Sequence, residues 1–194
     1  MKKILAVLLA LMLLLPAVSL GEAAEVVDTY PVEFDDFTLY VTSYDIIQKA
    51  PTKEEGQLLF LLYPNYDETA VVFNNINAVW SIQNLQPDLP ELDVNAFGQE
   101  IAANVAAQLT ASGITASNSK LHYAEKDATG AIVLAYSADV DYTAAGIDLV
   151  TTLYQAQYYE CMGEKGTYIF TVTAYDPDDL TALLSYLETI EFKR

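Results

Sequence analysis

Residues that do covalent chemistry are scarce in this chain of 194 residues, which has one histidine, His122, and one cysteine, Cys161. Together they could form a base and a nucleophile, but Glu160 beside the cysteine would raise the pKa of its thiol and weaken it as a nucleophile. A serine nucleophile would need the same histidine, and no Gly-x-Ser-x-Gly turn presents a serine. Zinc sites recruit several His and Cys ligands, so this pair is too small a set. We therefore predict that the protein is not an enzyme and uses no cofactor.

Carboxylates are abundant, and two groups of them could do other chemistry. Asp139 and Asp141 would share one strand face, and Asp176, Asp178 and Asp179 precede the last predicted helix. Oxygen ligands suit calcium, and a pair of carboxyl groups can act as acid and base in a glycosidase. Neither group has the spacing of a calcium loop, and capping of a helix explains the second one. We predict no metal site, with a calcium-dependent surface module and a carboxylate hydrolase as the alternatives.

The charge balance excludes one class of partner. The chain has 27 acidic residues against nine Lys and Arg, for a formal net charge of −18. Such a surface repels phosphate backbones and anionic lipids. Nucleic acid is therefore excluded as a partner.

Tyrosine is unusually frequent, with fourteen residues. Tyrosine combines a flat apolar ring with a hydroxyl group and is common in protein interfaces. Tyr154 and Tyr158 would project from one face of a strand, together with Thr152. These three residues are the candidate partner-binding surface; the alternative is a sheet that uses aromatic residues beneath a helix.

The first 24 residues are typical of a secretory signal peptide. Lys2 and Lys3 precede an apolar run over residues 4–15, which is shorter than the ~18 to 20 residues that cross a bilayer as a helix. We predict a secreted or extracytoplasmic protein, at the cell surface or in a periplasm, with no integral membrane segment once the leader is removed. Cleavage near Ala23 or Ala24 is favoured over cleavage after Gly21.

The remaining chain is long enough for one domain held by packing, since a single cysteine cannot form an internal disulfide. Residues 25–36 are acidic and contain a proline, so they are predicted as a lead-in that need not be ordered. Residues 37–194 are predicted as a single globular α/β domain.

Strand patterns dominate the first half of that domain. Residues 37–42, 57–63 and 69–81 predict three strands, and 57–63 (QLLFLLY) is apolar on both faces, as in a central strand covered on both sides. Asp93 then caps a helix whose apolar residues recur at three- and four-residue spacing until Gly113.

An antiparallel meander of four strands is predicted next, with one turn at residues 127–130 (DATG) and a hairpin connection at 163–166 (GEKG). Asp176 caps a second helix with a stripe of leucines. Residues 190–192 predict a short closing strand.

This order of elements resembles the PsbP/Mog-like fold. The resemblance rests on the strand VVFNNINAVW, the helix beginning at Asp93, the hairpin ending in TYIFTVTAYDPDD, and the ending LLSYLETIEF. It implies an α/β protein of the α+β type, with an antiparallel sheet of about six or seven strands, a helix after the third predicted strand and a C-terminal helix. The group includes extrinsic photosystem II subunits, a nuclear-transport factor that binds a small GTPase, and exported bacterial proteins. The resemblance therefore implies a binding function rather than catalysis.

The function that these features favour is an exported, non-enzymatic domain. Its expected partner is a protein or another component of the cell envelope, bound through the sheet face or the loops.

Overall fold

A computed structural model of the chain describes residues 28–85, 89, 91–126 and 131–193. The predicted leader and the predicted turn at 127–130 lie outside these residues. The described residues form ten strands and two α-helices. In chain order these are β1 (Thr29–Glu33), β2 (Phe37–Thr42), β3 (Ile46–Lys49), β4 (Leu58–Tyr63), β5 (Asn75–Ser81), α1 (Val94–Ala111), β6 (Thr115–Lys126), β7 (Ile132–Asp141), β8 (Val150–Cys161), β9 (Thr167–Ala174), α2 (Pro177–Glu188) and β10 (Glu191–Phe192).

Seven strands form one antiparallel sheet in the order β3-β4-β5-β9-β8-β7-β6. This main sheet confirms the predicted α/β class and the predicted meander, which is β6 to β9. The meander joins the earlier strands through β9, which pairs with β5 from Asn75–Thr173 to Ser81–Thr167. A small second sheet has the order β1-β2-β10, so the predicted closing strand β10 pairs with β2.

Two described strands, β1 and β3, were not predicted. β1 lies inside the acidic stretch 25–36, and it pairs along its whole length with β2, from Thr29–Thr42 to Glu33–Thr38. Most of its side chains are exposed, so it lacks the apolar alternation that reveals a strand in sequence. β3 is a four-residue edge strand paired with β4. Consequently α1 follows the third of the predicted strands, as expected, but the fifth strand of the structure.

Both helices begin at the predicted caps. The Asp93 carboxylate accepts hydrogen bonds from the backbone N–H groups of Asn95 and Ala96, each 3.1 Å long. The Asp176 carboxylate accepts from the backbone N–H of Asp178 at 2.8 Å. These bonds satisfy donors that a helix start otherwise leaves open.

One side of the main sheet, called here the inner face, carries the principal core. The small sheet and α2 pack on it, and the side chains that meet there are almost fully buried. They include Phe37, Leu39, Phe60, Leu62, Ile76, Phe170, Val172, Leu180 and Leu184. Burial of this apolar area is the main contribution to stability, since the single cysteine is free.

The other side, the outer face, is covered only in part by the described residues. α1 packs on β6 and β7 and approaches so closely that a Cβ at Gly98 would lie 2.9 Å from Leu121 Cδ1. Phe97 of α1 contacts Tyr159 with its ring centroid 5.5 Å away. The segment before α1 lies near the start of β9, where the Thr167 hydroxyl donates to the Gln83 carbonyl at 2.8 Å.

The predicted double coverage of β4 is not what the structure shows. β4 lies next to the edge strand β3, and its inner residues Phe60 and Leu62 are buried. Its outer residues Leu61 and Tyr63 are only half-buried. Apolar side chains thus extend onto a part of the sheet that no described helix covers.

Candidate binding surface

The part of the outer face beyond α1 presents two rows of amide and hydroxyl side chains. We call it the open face and define it by eight of the outward residues of β8, β9, β5 and β4, which are Gln155, Gln157, Thr171, Thr173, Asn75, Asn77, Leu61 and Tyr63. In an antiparallel sheet, directly paired residues project to the same side. The register therefore aligns these side chains across the strands.

One row crosses four strands at the centre of the open face. Gln157 pairs with Thr171, Thr171 with Asn77, and Asn77 with Leu61. In the parallel row, Gln155 pairs with Thr173 and Thr173 with Asn75, but Thr173 itself is buried, so only the two ends of this row reach the surface. A line of hydrogen-bonding groups thus runs perpendicular to the strands.

Neighbouring tyrosines orient the two glutamines. The Tyr136 hydroxyl donates to Gln155 Oε1 at 2.9 Å, and the Tyr159 hydroxyl donates to Gln157 Oε1 at 2.5 Å. Burial raises the pKa of both tyrosines, so both stay protonated as donors at neutral pH. The Gln155 amide nitrogen donates to Thr173 Oγ1 at 2.9 Å. The amide groups are therefore held in fixed orientations.

An aromatic cluster borders the open face at its β4 side. Tyr63, Tyr66 and Phe73 contact one another, and the rings of Tyr66 and Phe73 are stacked with centroids 5.2 Å apart and an interplanar angle of 16°. Tyr66 is 41% exposed. A flat, accessible aromatic surface thus adjoins the polar rows.

The open face is also uncharged, since none of its described side chains is acidic or basic. That is notable in a protein with a net charge of −18. Four of the nine basic residues lie instead at the connection between β1 and β2, where they bond Glu33, Phe34 or Asp36. They are Lys49, Lys53, Lys165 and Lys193.

Asp36 is the centre of that basic group. Lys53 Nζ lies 2.8 Å from its carboxylate and Lys165 Nζ 3.2 Å, while the Tyr168 hydroxyl donates a further hydrogen bond. Partial burial alone would raise the pKa of Asp36, but these three donors outweigh it and lower the pKa to about 2. Lys53 also lies 4.3 Å above the Trp80 ring. The arrangement ties the small sheet to β9.

A pocket of about 110 Å³ adjoins this cluster, lined by residues that include Phe34, Asp36, Lys49, Lys53 and Tyr168. That volume suits a few water molecules rather than an organic ligand. The lysines at its wall already bond carboxylate or carbonyl oxygens. We therefore assign this region a structural role.

The tyrosines singled out by sequence lie on the inner face. Tyr154 and Tyr158 are half-buried and pack against the principal core, and Tyr158 has its ring centroid 6.3 Å from that of Phe170. Thr152 points to the same side, and its hydroxyl donates to Asp139 at 3.1 Å. The three residues share a face, as expected, but the two rings pack as core-forming residues do.

His122 and Cys161 lie in different environments. His122 Nε2 is 2.7 Å from Ser137 Oγ, and burial together with the charge of Lys120 lowers the pKa of the imidazole. Cys161 is buried, and burial raises the pKa of its thiol. The Thr167 hydroxyl contacts its sulfur at 3.8 Å. His122 therefore contacts the Ser137 hydroxyl and Cys161 the Thr167 hydroxyl, instead of the two residues contacting each other.

The acidic groups named from sequence serve local hydrogen bonding. Asn118 donates to Asp139 at 2.8 Å, and the backbone N–H of Thr143 donates to Asp141 at 2.8 Å. Both contacts lower the pKa of the carboxyl groups. No group of three or more His, Cys, Asp or Glu among the described residues could hold a metal ion.

Comparison with known proteins identifies the architecture. The structure matches the solution structure of cyanobacterial PsbP (CyanoP) from Synechocystis sp. with a TM-score of 0.53 over 90% of this chain and 98% of that one. The chain has a PsbP-like fold. The two sequences are 12% identical, so the likeness shows the fold alone. No family model and no curated protein matches the sequence.

Sequence reasoning did not find the open face of this PsbP-like fold. Its residues come from four strands, and only their register brings them together. Two signals were present in the sequence: the asparagines of β5, which weakened its apolar pattern, and the two-sided apolar pattern of β4. No helix within the described residues has the length and apolar character needed to cross a bilayer.

Proposed function

We propose that this protein is an exported, non-enzymatic binding domain that holds a component of the cell envelope on its open face. The observation that carries the proposal is the uncharged, aligned array of amides and hydroxyls on that face. Ordinary surface residues of so acidic a protein would include carboxylates. An uncharged, pre-oriented array suits contact with a partner.

The half-buried apolar residues at the β4 side of the open face, together with exposed Tyr66, support the same proposal. Leu61 and Tyr63 extend onto the uncovered part of the sheet, and Tyr66 stacks on Phe73 at its border. Apolar groups at the edge of a polar surface are typical of contact surfaces.

Three carboxyl groups of the described residues are unsuited to act as the acid of a hydrolase. A glycosidase acid needs a raised pKa, whereas the pKa values of Asp36, Asp139 and Asp141 are lowered by their hydrogen-bond donors. Such groups stay ionised at neutral pH and cannot deliver a proton.

Export is supported by the leader pattern of residues 1–24. We expect the N-terminal residue of protein recovered from the medium or the envelope to lie near Ala24, as measured by mass spectrometry. An intact Met1 on protein recovered from the cytosol would contradict export.

Binding is tested by placing one charge at the centre of the open face. Thr171→Glu puts a carboxylate in the middle of the polar row, and Asn104→Glu puts the same charge on an exposed position of α1. The purified protein is mixed with envelope fragments of the source organism, and the fraction that sediments with them is measured. We expect the wild type and Asn104→Glu to sediment alike and Thr171→Glu to lose at least about tenfold in affinity.

A second variant shows whether a loss of binding by Thr171→Glu comes from misfolding. Asn77→Ala removes one amide from the same row without adding charge, and circular dichroism checks that both variants fold. Equal sedimentation of all the folded variants, or no sedimentation of the wild type, would overturn the proposal.

A further inference from the structure

We infer that the ligand of the open face is an extended, uncharged polysaccharide. This inference rests on the proposed function, because it names the chemical class of the component that the same face binds. It follows from the hydrogen-bonding groups, the aromatic border, the dimensions and the charge of the face.

The hydrogen-bonding groups of the open face match those of sugars. Each sugar hydroxyl both donates and accepts, and the amides of Asn and Gln offer a donor and an acceptor side by side. With the oxygen of Gln157 engaged by Tyr159, Gln157 presents its amide nitrogen as a donor. Thr171 and Asn77 follow it along the same row. Repeated hydroxyls along a sugar chain can meet repeated groups along this row.

The aromatic border supplies the second feature that sugars need. One side of a pyranose ring carries C–H bonds, which pack on the face of an aromatic ring. Tyr66 is accessible at the end of the polar rows and is held by its stack on Phe73. Polar rows that lead to an accessible ring favour a ligand that is both hydroxylated and ring-shaped.

The dimensions indicate a polymer. Neighbouring strands lie about 4.8 Å apart, so the row from β8 to β4 extends over about 14 Å, the length of a few sugar rings. Gln157, Thr171 and Asn77 of this row are each half-buried side chains on the surface of the sheet, whereas the described pocket of about 110 Å³ lies at the Asp36 cluster. An open row of this length fits a chain that crosses the strands.

The charge of the protein and the composition of the open face exclude the main alternative ligands, which are charged polymers and other proteins. An anionic polymer would be repelled by the net charge of −18, and a cationic one would bind the acidic surface elsewhere. Protein interfaces concentrate apolar and aromatic residues with arginine at their centre. Here the centre is amide and hydroxyl, and the aromatic residues lie at the border.

The test uses affinity electrophoresis of the purified protein in gels that contain one polymer each. The neutral polymers are hydroxyethyl cellulose, laminarin and mannan, chitin beads are used in a parallel sedimentation assay, and polygalacturonate is the anionic control. We expect retardation or sedimentation by at least one neutral polymer and none by polygalacturonate. Retention by polygalacturonate equal to that by the neutral polymers would overturn the inference.

Matched variants locate the binding. Asn77→Ala should weaken polymer binding about fivefold, the effect of one hydrogen bond, while Asn104→Ala on α1 leaves it unchanged. Tyr66→Ala should weaken it by a similar or larger factor, while Tyr30→Ala, at a tyrosine 43% exposed against 41% for Tyr66, leaves it unchanged. Loss of binding in the control variants, or unchanged binding in Asn77→Ala and Tyr66→Ala, would overturn the assignment to the open face.

The outcomes separate this inference from the proposed function. If no neutral polymer binds but envelope fragments are retained and Thr171→Glu releases them, the inference fails and the ligand is a protein or another envelope component. If neither the polymers nor the fragments bind, both fail.

Discussion

The inner face and the open face belong to the same strands, yet they have opposite compositions. Along β9, the inward residues Phe170 and Val172 are fully buried, and the outward residue Thr171 is only half-buried and forms part of the polar array. Along β5, Ile76 is buried and its neighbours are asparagines. Strand alternation alone explains the segregation of side chains. What differs is the layer that lies above each face.

The covering layers account for the difference. The small sheet and α2 exclude water from the inner face, so apolar side chains there contribute their full transfer free energy. α1 does the same for β6 and β7 on the outer side. Where the described elements leave the outer side uncovered, the strands carry amide and hydroxyl groups, which tolerate contact with water better than apolar groups do.

The largest expected effect contrasts adjacent residues of β9. Phe170→Ala should lower the free energy of unfolding by about 3 to 5 kcal/mol, because it leaves a cavity in the principal core. Thr171→Val, one residue away on the open face, should change it by less than about 0.5 kcal/mol. Urea unfolding followed by circular dichroism measures both values. Equal costs at the two positions would show that the open face is packed like the inner one.

A smaller effect concerns the Asp36 cluster, which ties the small sheet to the inner face. The folded pKa of Asp36 is about 2, below its usual 3.8, so the carboxylate stabilises the fold above about pH 4 and loses that contribution as pH falls through about 2. Asp36→Asn should cost on the order of 2 kcal/mol at pH 7, and the difference from wild type should shrink with acidification.

The control for Asp36→Asn is Asp35→Asn, which removes the same charge at an exposed neighbouring residue. Unfolding curves at pH 7, 4 and 2.5 separate the two variants. A constant deficit in Asp36→Asn at all three pH values would contradict the assigned role of its ionisation.

The smallest effect is expected at His122, which reaches the inner face from edge strand β6 and contacts Ser137. Its folded pKa lies below the usual 6.5. The unfolded chain therefore takes up the proton first, and this group's contribution to stability is present above pH 6.5 and is lost as pH falls through the folded pKa. His122→Gln should remove that part of the pH dependence, seen as a smaller drop in melting temperature between pH 7.5 and 5. An identical drop in both proteins would show that His122 does not contribute.

Local patterns were sufficient to predict much of this fold. Asp93 and Asp176 cap helices where their positions indicated, because capping depends on a few adjacent backbone groups. The meander and the closing strand follow from alternation and turn residues. The strands β1 and β3 were not predicted because their sequences show little apolar alternation. Backbone pairing with β2 and β4 stabilises them instead.

The candidate site could not be predicted in the same way. Tyr154 and Tyr158 were correctly placed on one face, but sequence does not show that α2 and the small sheet cover that face. The asparagines of β5 and the glutamines of β8 are about 80 residues apart in sequence, and they become one surface only through the pairing of both strands with β9.

The amino-acid sequence by itself determined the acidic charge, the single free cysteine, the helix caps and the alternation within each strand, because these depend on composition or on neighbouring residues. Tertiary structure alone decided which side of each strand is covered, which side chains align across the sheet, and that His122 contacts Ser137. Those properties depend on strand order and on the placement of helices, which arise from contacts between residues far apart in the chain.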